Sequence, residues 1–224
     1  MDGVHDMGGM HGFGTVPTED NGKPFAQPWQ ARVFATNLAM SVHTGNVDRF
    51  RFQLESIPPE DYLVSSYYER WLAAMMANAR EQGFLDNEQL QAILAGTNPE
   101  VNPADTEAAP PGVVAMMLDH CADGGRDYSG TGRFAVGDKV RAVNRHTPGH
   151  TRLPRYVRGH QGAILKDNGN QLLPDIHAKT GEVVLQRLYT VTFDAVDLWG
   201  PEANPRDSVC PVSYTHLRAH ETRR

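Results

Sequence analysis

NVDRFRFQLESIPPEDYLVSSYYERW, residues 46–71, is the stretch on which the reading of this chain turns. Val47, Phe50, Leu54 and Ile57 fall at helical spacing, with Arg51 set between Phe50 and Phe52. Pro58 and Pro59 stop that helix and begin a short turn carrying Glu60, Asp61 and Tyr62. A second helix starts near Ser65 and Ser66, either of which can cap it, and shows Tyr67, Tyr68 and Trp71 in its first turns. One guanidinium and two phenols are thus presented by two short helices across a stiff elbow. On spacing alone, the simpler reading keeps Tyr67, Tyr68 and Trp71 as core and Arg51 as a solvated surface residue.

Working outward, residues 28–43 open on Pro28, suited to a first helical turn, and line Trp29, Val33, Leu38 and Val42 along one side until Thr44 and Gly45. The helix from Ser66 runs through Met75, Met76 and Ala79 to Gly83, a residue type that closes helices. Asp86 and Gln89 form a capping pair for a further helix ended by Gly96. Residues 28–96 therefore read as a helical domain of four short helices. They carry more apolar stripes than they can hide from one another, so one face is expected to be covered by a partner. Before them, residues 1–27 hold six glycines and two prolines and no periodic core, an extended arm or a frayed terminus. His5, Asp6 and His11 invite a metal reading, but glycine-rich spacing does not bring them to one face.

Residues 97–131 form a linker: TNPEVNPADTEAAPP is proline-rich and acidic, a short helix is expected over 112–121, and Gly124, Gly125 and Gly130 follow. From residue 132 the period changes. KVRAVN, GAILKD and EVVLQRLYTVTFDAV alternate or run β-branched, with DNGN at 167–170 as a turn. Several short strands over 132–210 predict a small closed sheet, a β-roll or SH3-like barrel, and an α+β chain overall. The tail at 211–224 breaks the pattern, since VSYTHLRAHET resembles a sequencing-library adapter translated in one frame. It is read as non-native. Arg218, Arg223 and Arg224 against Glu221 make it net +2, leaving −8 for the rest.

Bulk properties narrow the function classes. A chain of 224 residues can bury about 70% of the surface it exposes when unfolded. Its formal net charge is −6 with both signs interspersed, which gives no footprint for nucleic acid. No apolar run approaches the roughly 20 residues of a membrane span, and no secretion signal opens the chain. Cys121 and Cys210 make neither a disulfide framework nor a thiolate cage, and a cytoplasmic protein is expected.

Four separated segments point further: residues 46–71, MDGVHDMGG at 1–9, GHTRLPRYVRG at 149–159 and LYTVTFDAVDLWGPEANPRDSV at 188–209. Together they resemble the β subunit of nitrile hydratase, the metalloenzyme that adds water to nitriles to give amides. The resemblance implies an αβ heterodimer, or α2β2, in which residues 1–27 wrap the partner. It implies a non-haem Fe(III) or non-corrin Co(III) centre held by the α subunit, with no metal ligand on this chain. Arg51 and Arg152 would hydrogen-bond the oxygens of oxidised cysteine ligands there, a task suited to a planar, permanently charged fork. Tyr67 would floor the substrate pocket, with Tyr68 and Trp71 as packing. Arg70 departs from the family, which favours His or Trp at that position. For Arg152, spacing alone also allows a basic surface loop with Arg155 and Arg158, and His150 either contacts an acidic group or is simply exposed. The alternatives are a thiocyanate hydrolase-type subunit and a non-catalytic sheet-domain binding or assembly module.

Overall fold

A computed structural model describes residues 3–15, 18, 23–44, 47–97, 112, 129–146, 151–214 and 217–219. The chain divides into two compact units, Thr18–Ala122 and the pair Met1–Pro17 with Asp123–Arg224. Each is described by itself. The chain is α+β, with helices alone in one unit among the described residues and an antiparallel sheet with two short helices in the other.

The helical unit holds α1 (Pro28–Thr44), α2 (Val47–Glu55), α3 (Pro59–Val64), α4 (Tyr67–Glu81) and α5 (Asn87–Leu94). Among the described residues five helices stand where four were expected, because the elbow after Pro58 is itself helical. Pro59 occupies its first position, where a missing N–H costs nothing. Ser66 caps α4 in a reciprocal box, its N–H donating to Glu69 Oε2 at 2.6 Å. Those bonds from Ser66 hold the Glu69 carboxyl below its usual range. At the far end Phe84 N–H donates to Ala79 O (2.9 Å) and Gly83 N–H to Arg80 O (3.2 Å), with Gly83 at φ +76°, the glycine closure expected there. Asp86 and Gln89 cap α5 as predicted, at 2.7 and 3.0 Å.

α2 packs on α4 and α1 on α4. The contact is aromatic: Trp71 lies 5.2 Å from Phe50, 5.8 Å from Tyr68 and 6.1 Å from Phe34 between ring centroids. Phe25, just before α1, extends the cluster to Phe34 and Tyr68. Glu81 ties the other end, accepting from Arg49 at 2.7 Å and Gln53 at 2.6 Å. Not every apolar position turned inward: Val47, Leu63, Val64 and Leu94 are exposed.

The sheet unit holds β1 (Lys139–Ala142), a 3₁₀ turn at Arg155–Val157, β2 (Gln161–Leu172), α6 (Pro174–Thr180), β3 (Leu185–Asp194), α7 (Ala195–Trp199), β4 (Ser208–Val209), β5 (Val212–Ser213) and β6 (Leu217–Ala219). Strand order is β4-β3-β2-β1-β6, with β5 also on β3. Among the described residues the ladder does not run from β4 to β6, so the sheet is open and not the closed barrel expected. DNGN is likewise not a turn. It lies inside β2, where the register against β3 shifts between Asp167 and Asn170. Asp167 accepts Gly169 N–H at 2.9 Å and Gly169 sits at φ +76°, so the turn-like residues build a bulge in a continuing strand. The true reversal comes later and carries α6, closed by Gly181 at φ +72°. The helix expected over 112–121 lies outside the described residues.

The core gathers Phe134, Val140, Ala142, Leu153, Val157, Ile164, Tyr189, Val191 and Phe193. Gly162 is required by close approach: a Cβ there would stand 2.6 Å from Thr192 O and 2.8 Å from Val191 Cγ1. Beyond Cys210 the chain stays engaged. Val212 and Ser213 pair with Thr190 and Tyr189, and the buried Tyr214 donates its hydroxyl to Leu172 O at 2.8 Å. No described helix is long and apolar enough to cross a membrane.

Candidate functional site

Arg51 leaves the exposed side of α2 with its side chain 46% accessible, and NH1 donates to Asp48 Oδ1 at 3.3 Å. Asp48 is buried one turn earlier, at the i, i+3 spacing that lets two helical side chains meet. A buried carboxylate therefore anchors one edge of the guanidinium and leaves the rest of its donors outward. Phe50, beside it, is seated edge-on against Trp71, which fixes the rotation of α2 about its own axis.

Tyr67 begins α4 and is 60% exposed. Its ring leans on Tyr68 at 5.1 Å and Trp71 at 5.5 Å, so the neighbours orient it while the phenol stays accessible. Tyr68 and Trp71 are half-buried in the cluster. Arg51 and Tyr67 thus stand on helices that pack together, both reaching solvent. Arg70 turns elsewhere: Nε donates to Tyr62 O at 2.9 Å and the guanidinium lies 4.1 Å over the Tyr62 ring. A hollow of about 460 Å³ at Ala77, Arg80, Glu81, Leu85, Asp86 and Asn87 involves neither Arg51 nor Tyr67.

In the sheet unit Arg152 is exposed between two buried neighbours, Thr151 and Leu153. Arg158 does not join it in a basic surface patch, whereas Arg155 is exposed. Arg158 is buried, its side chain 2% exposed, donating to Leu153 O at 3.2 Å and standing 3.8 Å from Asp6 Oδ2. The same carboxylate oxygen accepts the Arg155 N–H at 2.9 Å. Asp6 is therefore engaged with two arginines, and among the described residues no three His, Cys, Asp or Glu gather as a metal set. Beside it Tyr156 stacks on Trp199 at 6.2 Å, and burial, then the charge of Asp6, pushes its phenol above the usual value. His150 lies outside the described residues.

Sequence reasoning did not single out Asp48, Arg158 or the arginine-binding role of Asp6. Asp48 could have been found, since D-x-x-R on a helix is a spacing signal. Asp6 and Arg158 are 152 residues apart in the chain and no local pattern joins them.

Comparison with known proteins gives one family. "Nitrile hydratase beta subunit, N-terminal" matches residues 1–115 and "Nitrile hydratase beta subunit, C-terminal" matches 124–214. The chain is similar to the low-molecular weight cobalt-containing nitrile hydratase subunit beta of Rhodococcus rhodochrous, 35% identical over 92% of this chain and 93% of that protein. It is 34% identical to the nitrile hydratase subunit beta of Pseudomonas putida, over 93% and 94%. To the cobalt-containing subunit beta of Pseudonocardia thermophila it is 32% identical, over 93% and 92%. Among solved structures, the recombinant apo-enzyme of thiocyanate hydrolase from Thiobacillus thioparus is a loose match: TM-score 0.41 and 23% identity over 51% of this chain and all of that one.

Proposed function

The chain belongs to the nitrile hydratase β-subunit family, and from that membership we propose that it completes the site of an αβ enzyme hydrating nitriles, R–CN + H₂O → R–CONH₂. The metal is held by the α subunit. Among its described residues this chain offers no donor set that fits a metal; what it offers fits the outer side of an anionic ligand shell. Two relatives are named as cobalt-containing, which favours cobalt over iron. When bound, such an ion supplies Lewis-acid polarisation.

The observation that carries the reading is the state of Arg51, an exposed guanidinium anchored on one edge by the buried Asp48. Donors held in place before charge develops need no reorganisation during reaction, which is why fixed cations are effective beside an anionic centre. Arg152 offers a second guanidinium from a loop whose two neighbours are buried, and lysine at either place would offer a point charge on a looser stem. Tyr67 supplies an apolar wall with a phenol able to orient substrate or water. The exposed apolar residues of the helical unit, Leu63, Val64 and Val47 among them, suit a surface covered by the α subunit in a cytoplasmic αβ or α2β2 assembly, with the arm at 1–27 also contributing contacts.

The test is expression of this chain with and without its α subunit. Purified together and loaded with cobalt, the pair turns over aliphatic or aromatic nitriles to amides. This chain alone is inert under the same conditions. Amide formation by the isolated chain, or none by the loaded pair, contradicts the proposal.

A further inference from the structure

The segment that carries Arg152 is fastened from an unexpected direction. Its buried flanks, Thr151 and Leu153, point inward and leave Arg152 outward. Arg158, five residues after Leu153 and buried, donates to the carbonyl of Leu153 at 3.2 Å and contacts His146 Nδ1 at 3.3 Å. Asp6, from the opposite end of the chain, accepts the amide of Arg155 at 2.9 Å and faces the Arg158 guanidinium at 3.8 Å. Arg155 returns the contact, NH2 donating to Asp6 O at 3.1 Å and meeting Met10 Sδ at 3.2 Å. The seat is fitted around it. A Cβ on Gly8 would stand 2.6 Å from the Tyr156 ring, and one on Gly9 would stand 3.0 Å from Trp199 Nε1.

We propose that Asp6 is a positioning residue for Arg152: one buried carboxylate holds the 151–158 loop at the Arg155 amide and, through Arg158, at the carbonyl next to Arg152. The inference rests on the reading of Arg152 given above. The seating of the arm and the aim of a site arginine are then a single event. A buried ion pair costs much to break because the remaining charge loses its partner, so the loop follows the arm. Outer contacts of this kind change activity by about 10–100-fold when removed.

The experiment uses the cobalt-loaded αβ complex with Asp6→Asn, Arg152→Lys and the double variant. Asp6→Asn is expected to lower kcat by about 10-fold or more with KM little changed. The double variant is expected to be no slower than Arg152→Lys alone, because both changes spoil the same group. Hydrogen exchange read by mass spectrometry shows faster exchange over 151–158 in Asp6→Asn. Losses that multiply, or a wild-type kcat in Asp6→Asn, overturn the positioning role. A wild-type rate in Arg152→Lys instead overturns the reading of Arg152 itself, a separate outcome. Where Asp6→Asn prevents assembly, Gly8→Ala disturbs the same seat with the carboxylate retained, and unchanged exchange over 151–158 in that variant overturns the coupling.

Discussion

Arg70 stacks its guanidinium on the Tyr62 ring and donates Nε to the Tyr62 carbonyl, joining α3 to α4 by two contacts from one side chain. A cation–π contact and a charged hydrogen bond of this kind together contribute about 1–2 kcal/mol. Arg70→Ala is expected to lower the free energy of unfolding, measured in urea, by that amount; a value within error of the parent would mean that the clamp contributes nothing. Arg51 shows how far a residue can be read in advance. Its exposure and its helical place were legible from the pattern of Phe50, Phe52 and Leu54, because amphipathic spacing fixes which side faces out. Its anchoring by Asp48 needed the burial of that carboxylate, which spacing does not reveal.

At the scale of elements, helix ends were the most legible features, since glycine closures and capping pairs are local chemistry. Gly83, Gly96 and the Asp86–Gln89 pair all stand where the residues place them. DNGN misled because the same residues that favour a hairpin turn also build a bulge, and only the partner strand decides between them. That bulge is held by Arg187, which donates to Asp167 at 2.8 Å from both Nε and NH2, and to Ser129 O at 3.1 Å. Burial alone would raise the Asp167 carboxyl; the hydrogen bonds from Arg187 and Gly169 and the charge of Arg187 outweigh it and hold the group below its usual value. A carboxylate depressed in the folded state stabilises fully above its unfolded pKa of about 4 and loses that contribution as pH falls through the folded value. Stability of the sheet unit should therefore decline on acidification below about pH 4, and Arg187→Gln should flatten that acid limb in urea titrations. An unchanged limb in the variant would assign the decline to other carboxylates.

For the whole molecule, the assignment to helices followed by an antiparallel sheet was legible from the change of period near residue 134. The open edge of the sheet was not, because closure depends on which distant strands meet. The tail shows the same limit. Residues 211–214 lie within the family match and pack on β3, with Tyr214 buried, while β6 at Leu217–Ala219 pairs with β1. The family match thus extends four residues past Cys210, to Tyr214. Ending the chain after Cys210 is expected to lower Tm by about 5 °C or more, since a buried tyrosine and its strand pairing are lost. Ending it after Tyr214 removes only β6 and should cost less; equal melting of the two would show that residues 211–214 carry no stability. If this subunit lends fixed cations to a metal centre on its partner, as proposed, kcat for nitrile hydration should depend on both arginines. In complexes matched for assembly and cobalt content, Arg51→Lys and Arg152→Lys are each expected to lower kcat by about 100-fold, the scale seen when one preorganised donor is removed. Near-parental kcat in both would contradict the account.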